Sequence, residues 1–365
     1  MIEFDSVTKR YDDGTVAVDS LSLVAANGEI TVLVGPSGCG KTTSLRMINR
    51  TIDVTSGTIS VDGQDIASTD AVTLRRNIGY VIQHAGLFPH RTVVDNIATV
   101  PHLLGWDKKR SKEVALELME RVGLSTALAT RYPAQLSGGQ QQRVGVARAL
   151  AADPPMLLMD EPFSAVDPVV REGLQDEFLR LQQELGKTIV FVTHDIDEAI
   201  KLGDQVAVMQ VGGTLAQLAP PAELLSKPAN DFVAGFIGRD RGYRGLSFVG
   251  AEGLPVHERS TVAVGASEDD VRRATGDDDH VLVLDTERHP VGWLPVNGQA
   301  DITAERLLAL GTTFTPDQTL RAALDGALAS PTGEAVCVDG DGRFVGVVSH
   351  GEIAEHLQTA GRQAG

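Results

Sequence analysis

Eight consecutive residues, Gly35-Pro36-Ser37-Gly38-Cys39-Gly40-Lys41-Thr42, carry the spacing of a phosphate-binding loop. Glycines there let the backbone curl, so that successive N–H groups and the N-terminus of the helix expected next face an anion. Lys41 is expected to neutralise β- and γ-phosphate oxygens, Thr42 to offer its hydroxyl to Mg²⁺, and Thr43 to meet the α-phosphate. Further along, Met156-Leu157-Leu158-Met159-Asp160-Glu161 puts two carboxylates at the end of an apolar run. Asp160 suits Mg²⁺, directly or through water. Glu161 suits a general base that orients an attacking water. Such a pair could also do no more than cap a helix, but its place roughly 120 residues after the phosphate loop favours phosphoryl chemistry.

A third motif, Leu136-Ser137-Gly138-Gly139-Gln140, opens a helical segment from Gln141 to Ala151. Ser-Gly-Gly at a helix start offers a hydroxyl, flexible amides and a positive dipole end, all suited to a γ-phosphate. With these motifs in this order the chain resembles the ATP-binding-cassette (ABC) ATPases, whose signature this pentapeptide matches. The resemblance implies ATP and Mg²⁺, and it assigns further residues. Gln83, after Ile78-Gly79-Tyr80-Val81-Ile82, would join Mg²⁺ and the nucleophilic water to the transporter interface. His194 would be the switch histidine that contacts the γ-phosphate and Glu161. Ser164-Ala165-Val166-Asp167 resembles the loop between the two nucleotide sites, with Val166 where the family more often has leucine. Tyr11, about 30 residues ahead of Lys41, would stack on adenine, unless it is only a surface aromatic.

The implied site thus has Glu161, His194 and Gln83 as catalytic groups, and Thr42, Gln83 and Asp160 toward the metal. Nucleotide contacts fall to Tyr11, to Gly35, Ser37, Gly38, Cys39, Gly40, Lys41, Thr42 and Thr43, and to Ser137, Gly139, Gln140 and Asp167. In this family the phosphate loop of one copy faces the signature of another, so a homodimer is implied.

The elements that must position these groups show in the periodicity. From residue 1 to 238, apolar strand-like runs alternate with amphipathic helical stretches, the pattern of an α/β domain on a largely parallel sheet. Ile30 to Val34, Met156 to Met159 and Thr188 to Val192 read as buried central strands. Short β patterns near the start and around Gly57 to Gly63 predict an antiparallel edge, and Gln83 to Leu136, notably Lys109 to Val122, a helical insert. The resemblance names this fold a phosphate-loop NTPase of ABC type. The glycine- and charge-rich Gly235 to Gly242 marks a boundary, and a second domain is expected over 241–365.

That tail has no lysine, 10 Arg and 19 Asp plus Glu. It carries an internal repeat at an offset of 54 residues: Val281 to Asp285 and Val291 to Leu294 align with Ala335 to Asp339 and Val345 to Val348. Acid-capped helices are expected ahead of each hairpin, over Ser267 to Ala274 and Asp317 to Leu328. The unit resembles paired cystathionine-β-synthase-type (CBS) repeats, degenerate over about 247–300 and clearer over about 312–358. Such pairs can bind a regulatory adenine nucleotide, report ionic strength, or only dimerise. The acid excess fits a lipid-binding cationic patch poorly.

Composition narrows the partners. A formal charge of −17 over 365 residues gives nucleic acid and anionic lipid little counterion-release energy to gain. No run approaches the roughly 18 to 20 apolar residues of a membrane span, and Met1 to Asp5 has no leader pattern, so a cytosolic chain is expected. Cys39 and Cys337 fall in different domains, which leaves no disulfide framework. Membrane contact would then run through permease subunits at the cytoplasmic face, with a substrate-binding protein acting from the other side.

The cargo reading rests on resemblance. Ile82 to Ile97, Val100 to Trp106 and Phe232 to Gly238 look like the ATPases of glycine betaine, carnitine, choline and proline importers. Sugar or polyamine importers, which usually append a β-barrel tail, and DNA- or ribosome-acting ABC ATPases, with paired cassettes or basic arms, are the other classes. Leu87, Phe88 and Val93 are expected either to form a groove for a permease helix or to belong to the core.

Overall fold

The structure is a computed structural model that describes all residues except 84–85, 165, 277, 297–303 and 364–365. His84 and Ala85 of the importer-like stretch, Ala165 of the loop before Asp167, and the end of the first tail repeat lie outside the described residues. The chain divides into two compact units, Met1–Arg239 and Asp240–Gly365.

The described residues of the first unit form ten strands: β1 (Ile2–Arg10), β2 (Val16–Ala25), β3 (Ile30–Val34), β4 (Ser56–Val61), β5 (Gln64–Asp65), β6 (Ile78–Val81), β7 (Met156–Asp160), β8 (Thr188–Thr193), β9 (Gln205–Gln210) and β10 (Thr214–Ala219). Six form one sheet in the order β10-β9-β3-β8-β7-β6, parallel except where β10 runs against β9. Every residue of β3, β7 and β8 is buried. Helices cover both faces of such a sheet, and this is why these strands read as unbroken apolar runs. The other four strands make an antiparallel sheet, β2-β1-β4-β5, the predicted edge.

Between β6 and β7 the chain turns helical. Asp107 accepts hydrogen bonds from the amides of Lys109 and Arg110 and so starts the helix Lys108–Arg121. Ser111, Ala115, Leu118 and Met119 form its buried stripe. The helix stops at Gly123, whose φ of 65° only glycine adopts cheaply. Val93 is fully buried in the core, so it is no part of a surface groove, whereas Phe88 stays 39% exposed. Thr92 caps the short helix Val93–Ile97 and turns Val93 inward.

The second unit has β11 (Thr261–Ala263), β12 (His280–Leu284), β13 (Pro290–Pro295), β14 (Glu334–Val338) and β15 (Phe344–Ser349). β12–β13 and β14–β15 are antiparallel hairpins. Their turns match bond for bond at the 54-residue offset. Asp285 accepts from the amides of Glu287 and His289, and Asp339 from those of Asp341 and Arg343, at 2.8–2.9 Å. The hairpins share one apolar cluster, Leu282, Leu284 and Trp293 with Val336, Val338, Phe344 and Val347.

The helices before the hairpins differ. Ser267 caps Glu268–Thr275 in a capping box with Asp270, but the second helix runs Leu320–Ala329 and starts later than Asp317. Pro316 sits in a turn that closes from the Gln318 amide to the Thr315 carbonyl, so Asp317 lies in that turn and Thr319 takes the cap position. A side chain at Gly326 would put Cβ 2.2 Å from the Thr312 carbonyl oxygen. Alanine gains about 1 kcal/mol in helix propensity, yet moving a backbone oxygen costs about 1–3 kcal/mol. Gly326→Ala is therefore expected to lower the melting temperature of the Asp240–Gly365 transition in calorimetry; an unchanged or higher value would show that the packing yields freely.

Candidate active site

Four parallel strands end side by side, and their register decides which side chains meet. Val34 pairs with Thr193, Asp160 with Val192, and Val81 with Met159. The residues just past those ends therefore share one rim, where ligands of parallel sheets bind. There, Gln83 Nε2 donates to Glu161 Oε2 at 3.1 Å, and His194 Nδ1 lies 3.1 Å from the same oxygen. Three residues separated by 78 and 33 positions in sequence thus meet at one atom.

Glu161 occupies left-handed backbone space, φ 46°. For a residue other than glycine this stores about 1–3 kcal/mol of strain. The Glu161 amide donates to the Val192 carbonyl at 2.9 Å, while the hydroxyl of Ser164 donates to the Glu161 carbonyl at 2.9 Å. Those bonds hold the carboxylate toward Gln83 and His194.

The phosphate-loop residues sit between the end of β3 and the helix Lys41–Ile48. Gly40 is the cap residue at φ 93°, and a Cβ there would come 2.2 Å from the Ala17 carbonyl oxygen. Only glycine fits. Having no side chain, Gly40 leaves the first-turn amides unblocked, and no acidic residue occupies that turn. Gly35 packs as tightly, against the Met209 carbonyl. Cys39 is buried, and Ser37 and Gly38 face outward. The Lys41 ammonium folds onto its own loop and donates to the carbonyls of Gly35 at 2.7 Å and Pro36 at 3.0 Å. Thr43 is half-buried beside Thr42.

Thr42 Oγ1 donates to Asp160 Oδ1 at 2.9 Å, so the two oxygen groups expected at a metal already touch. Burial raises the Asp160 carboxyl above its ordinary range; the Thr42 bond opposes this and the Glu161 charge adds to it. Beside them, Arg46, Thr51, Ile52, Tyr80, Ile82, Gln83 and Asp160 line an open cleft of about 440 Å³. Burial, and then the Asp160 charge, push the Tyr80 phenol up.

The remaining expected residues lie elsewhere on the unit. Ser137 caps the helix Gly138–Leu150 in a capping box with Gln140, and Gly139 stands in its first turn. Among the described residues no hydrogen bond links them to the Lys41 group. The Asp167 carbonyl accepts the amides of Val170 and Arg171 at the start of the helix Pro168–Leu185. Tyr11 is 40% exposed, with Lys9 Nζ 5.3 Å from its ring centre.

A model of the ABC transporter family matches residues 18–164. The osmoprotectant import ATP-binding protein OsmV of Salmonella typhimurium is 46% identical over 98% of this chain and 97% of its own. The chain belongs to the ATP-binding subunits of ABC transporters. The glycine betaine/carnitine/choline transport ATP-binding protein OpuCA of Bacillus subtilis is 54% identical over 66% of this ABC subunit and 63% of its own length. The glycine betaine/proline betaine transport protein ProV of Escherichia coli is 37% identical over 95% of the subunit and 89% of its own length. A dimeric ATP-binding cassette solved in a post-hydrolysis state with ADP and Pi is 33% identical with a TM-score of 0.56, over 60% of this chain and 99% of that one. The ABC subunit is accordingly an ATP-binding enzyme that hydrolyses ATP.

Residue types alone did not point to Arg46 or Tyr80, nor to the bond between Ser164 and the Glu161 carbonyl. Ser164 sits three residues after Glu161, the spacing of a local side-chain-to-backbone bond, and that was the available signal.

Because its folded-state value is raised, Asp160 binds a proton more readily in the folded chain than in the unfolded one. Stability therefore falls as pH rises from the unfolded carboxyl value, about 4, through the folded one, and stays reduced at pH 7. Asp160→Asn is expected to raise the melting temperature of the nucleotide-free ABC subunit at pH 7, with the gain vanishing below pH ~4. A lower melting temperature at pH 7 would mean that the Thr42 bond outweighs the desolvation.

Proposed function

We propose that this ABC subunit binds MgATP between two copies of itself and that hydrolysis powers uptake of quaternary-amine osmoprotectants, namely glycine betaine, carnitine, choline or proline, through a separate permease. The meeting of Gln83 and His194 at Glu161 Oε2 is the observation that supports the chemistry most strongly. Likeness over nearly the full chain to OsmV supports the cargo class.

ATP lies along the Gly35–Thr42 loop, with adenine against Tyr11 and the phosphates against the Lys41–Ile48 helix start. Lys41 releases its loop carbonyls and turns to the β- and γ-oxygens. Thr42, Asp160 and Gln83 would present the oxygen donors that Mg²⁺ takes, and the contact of Thr42 with Asp160 fits that ion; when bound it would neutralise phosphate charge. Glu161 accepts a proton from water as the water oxygen bonds to the γ-phosphorus and the bond to the β–γ bridging oxygen breaks. His194 fixes the Glu161 carboxylate and reaches the γ-phosphate.

Ser137, Gly139 and Gln140 close the site from the second copy, where the Gly138–Leu150 helix start meets the γ-phosphate, and Asp167 lies between the two sites. ATP acts as an adhesive between half-sites, and loss of the γ-phosphate opens the dimer. The cleft beside Gln83, walled by Ile52, Tyr80 and Ile82, takes an apolar helix face of the permease, which puts the enzyme at the cytoplasmic face of the membrane. No described helix is long and apolar enough to cross a membrane. The substrate-binding protein acts through the permease from the far side, and the doubled hairpin of the tail is a pair of CBS-type repeats.

Glu161→Gln should lower kcat by about 10²–10⁴-fold, keep ATP binding and accumulate a closed dimer in size-exclusion chromatography with ATP; near-normal turnover would remove Glu161 from its role. Ser137→Arg should leave ATP binding to the monomer intact and abolish dimer formation, and unchanged hydrolysis would contradict a shared site. A cysteine at Ile82 should cross-link to the permease in the active complex. Failure of every cysteine along Ile52, Tyr80 and Ile82 would move the docking site elsewhere.

A further inference from the structure

Glu198 is a carboxylate only 6% exposed, on the helix Ile196–Leu202 that begins just after His194. Burial raises its carboxyl above the ordinary range. Burying a carboxylate is costly unless it is hydrogen-bonded. Its partners show what it holds. Gln175 Nε2 donates to Glu198 Oε1 at 3.1 Å, and the Thr193 hydroxyl beside the same carboxylate offsets part of that rise. Thr193 Oγ1 in turn accepts the amide of Asp195 at 3.0 Å. Asp195 then accepts the amides of Asp197 and Glu198 itself.

The residues on both sides of His194 are therefore joined through the Thr193 hydroxyl, and Asp195 in turn holds the amide of Glu198. These bonds fix the turn that carries His194 to the start of the helix with the buried carboxylate. Gln175 anchors that carboxylate to the helix Pro168–Leu185, which starts beside Asp167. Arg171 on the same helix donates to the Val166 carbonyl at 3.0 Å, with its other amino nitrogen 3.9 Å from Asp195. A tie between the two helices alone would not need the buried pair, because Lys201 and Asp176 already bridge them at 2.6 Å nearer the surface.

We propose that Glu198 is a positioning residue for His194, acting through Thr193 and anchored by Gln175, so that the imidazole stays against Glu161 Oε2. This rests on the roles given above to His194 and Glu161. Most substrate contacts come from the phosphate loop, which this turn does not hold, so its loss slows turnover far more than it weakens affinity.

The test is steady-state ATPase kinetics on the full chain. Glu198→Gln, Gln175→Glu and Thr193→Val should each lower kcat by about tenfold, with KM for ATP within about twofold of the parent. The exchanged pair Glu198→Gln/Gln175→Glu restores a carboxylate facing an amide, and it should recover kcat to within about threefold. In a His194→Ala background Glu198→Gln should have no further effect, a coupling that a purely structural role would not give.

Unchanged kcat in Thr193→Val and Glu198→Gln would overturn the proposal, as would additive losses with His194→Ala. Should Gln175→Glu fail to fold, the Thr193 and His194 arms still decide. If His194→Ala alone turns over ATP like the parent, the role of His194 fails and this inference falls with it. A large loss in His194→Ala beside normal Glu198 and Thr193 variants would sink only the positioning claim.

Discussion

The parallel register of β6, β7, β8 and β3 is the constraint on which the rest depends. Hydrogen bonding pairs Val81 with Met159, Asp160 with Val192 and Val34 with Thr193, which fixes the relative heights of four strand ends to within a residue. A slip of one residue would turn each strand's side chains to the opposite face and take Gln83 and His194 away from Glu161. Fully buried β-branched and aliphatic side chains enforce the register, since each contributes about 1.5–3 kcal/mol only when seated. The packed rings of Phe163, Phe178 and Phe191, with centroids 6.0–6.2 Å apart, secure β8 against the helix that follows Asp167. The geometry proposed for catalysis is thus a product of core packing, and the strain at Glu161 is held by bonds from that frame.

Much of this was legible in the residues. Glycines at 35, 38 and 40 with Lys41 and Thr42 could be read because backbone shape restricts residue type there; the close contacts of Gly35 and Gly40 give the physical reason. The central strands could be read because burial on both faces leaves no polar positions. Other features were hidden, because they depend on which segments become neighbours. Glu198 looks like any surface glutamate in Asp195-Ile196-Asp197-Glu198, and only the fold sets it against Gln175. Val93 read as a groove residue with core as the alternative, and its full burial behind the cap at Thr92 decided for core. The second tail helix started late because a proline turn took precedence over an acidic cap at Asp317.

The second unit shows how a repeat can persist where composition drifts. Only short apolar stretches align at the 54-residue offset, yet both turns keep an aspartate that closes on the same two amides. Turn chemistry restricts residue type more tightly than strand packing does. The acid excess of this unit leaves polyanions little to gain from it.

The proposed composite site makes one direct demand, that Ser37 of one copy and Ser137 of another approach only when nucleotide joins them. Both residues are exposed, so each tolerates a cysteine, and Cys39 and Cys337 are buried. Chains with Glu161→Gln and either Ser37→Cys or Ser137→Cys should form a disulfide-linked heterodimer on mixing with MgATP, and none with ADP. Full ATP binding without any inter-chain cross-link, or a bond formed within one chain that carries both cysteines, would contradict the shared site.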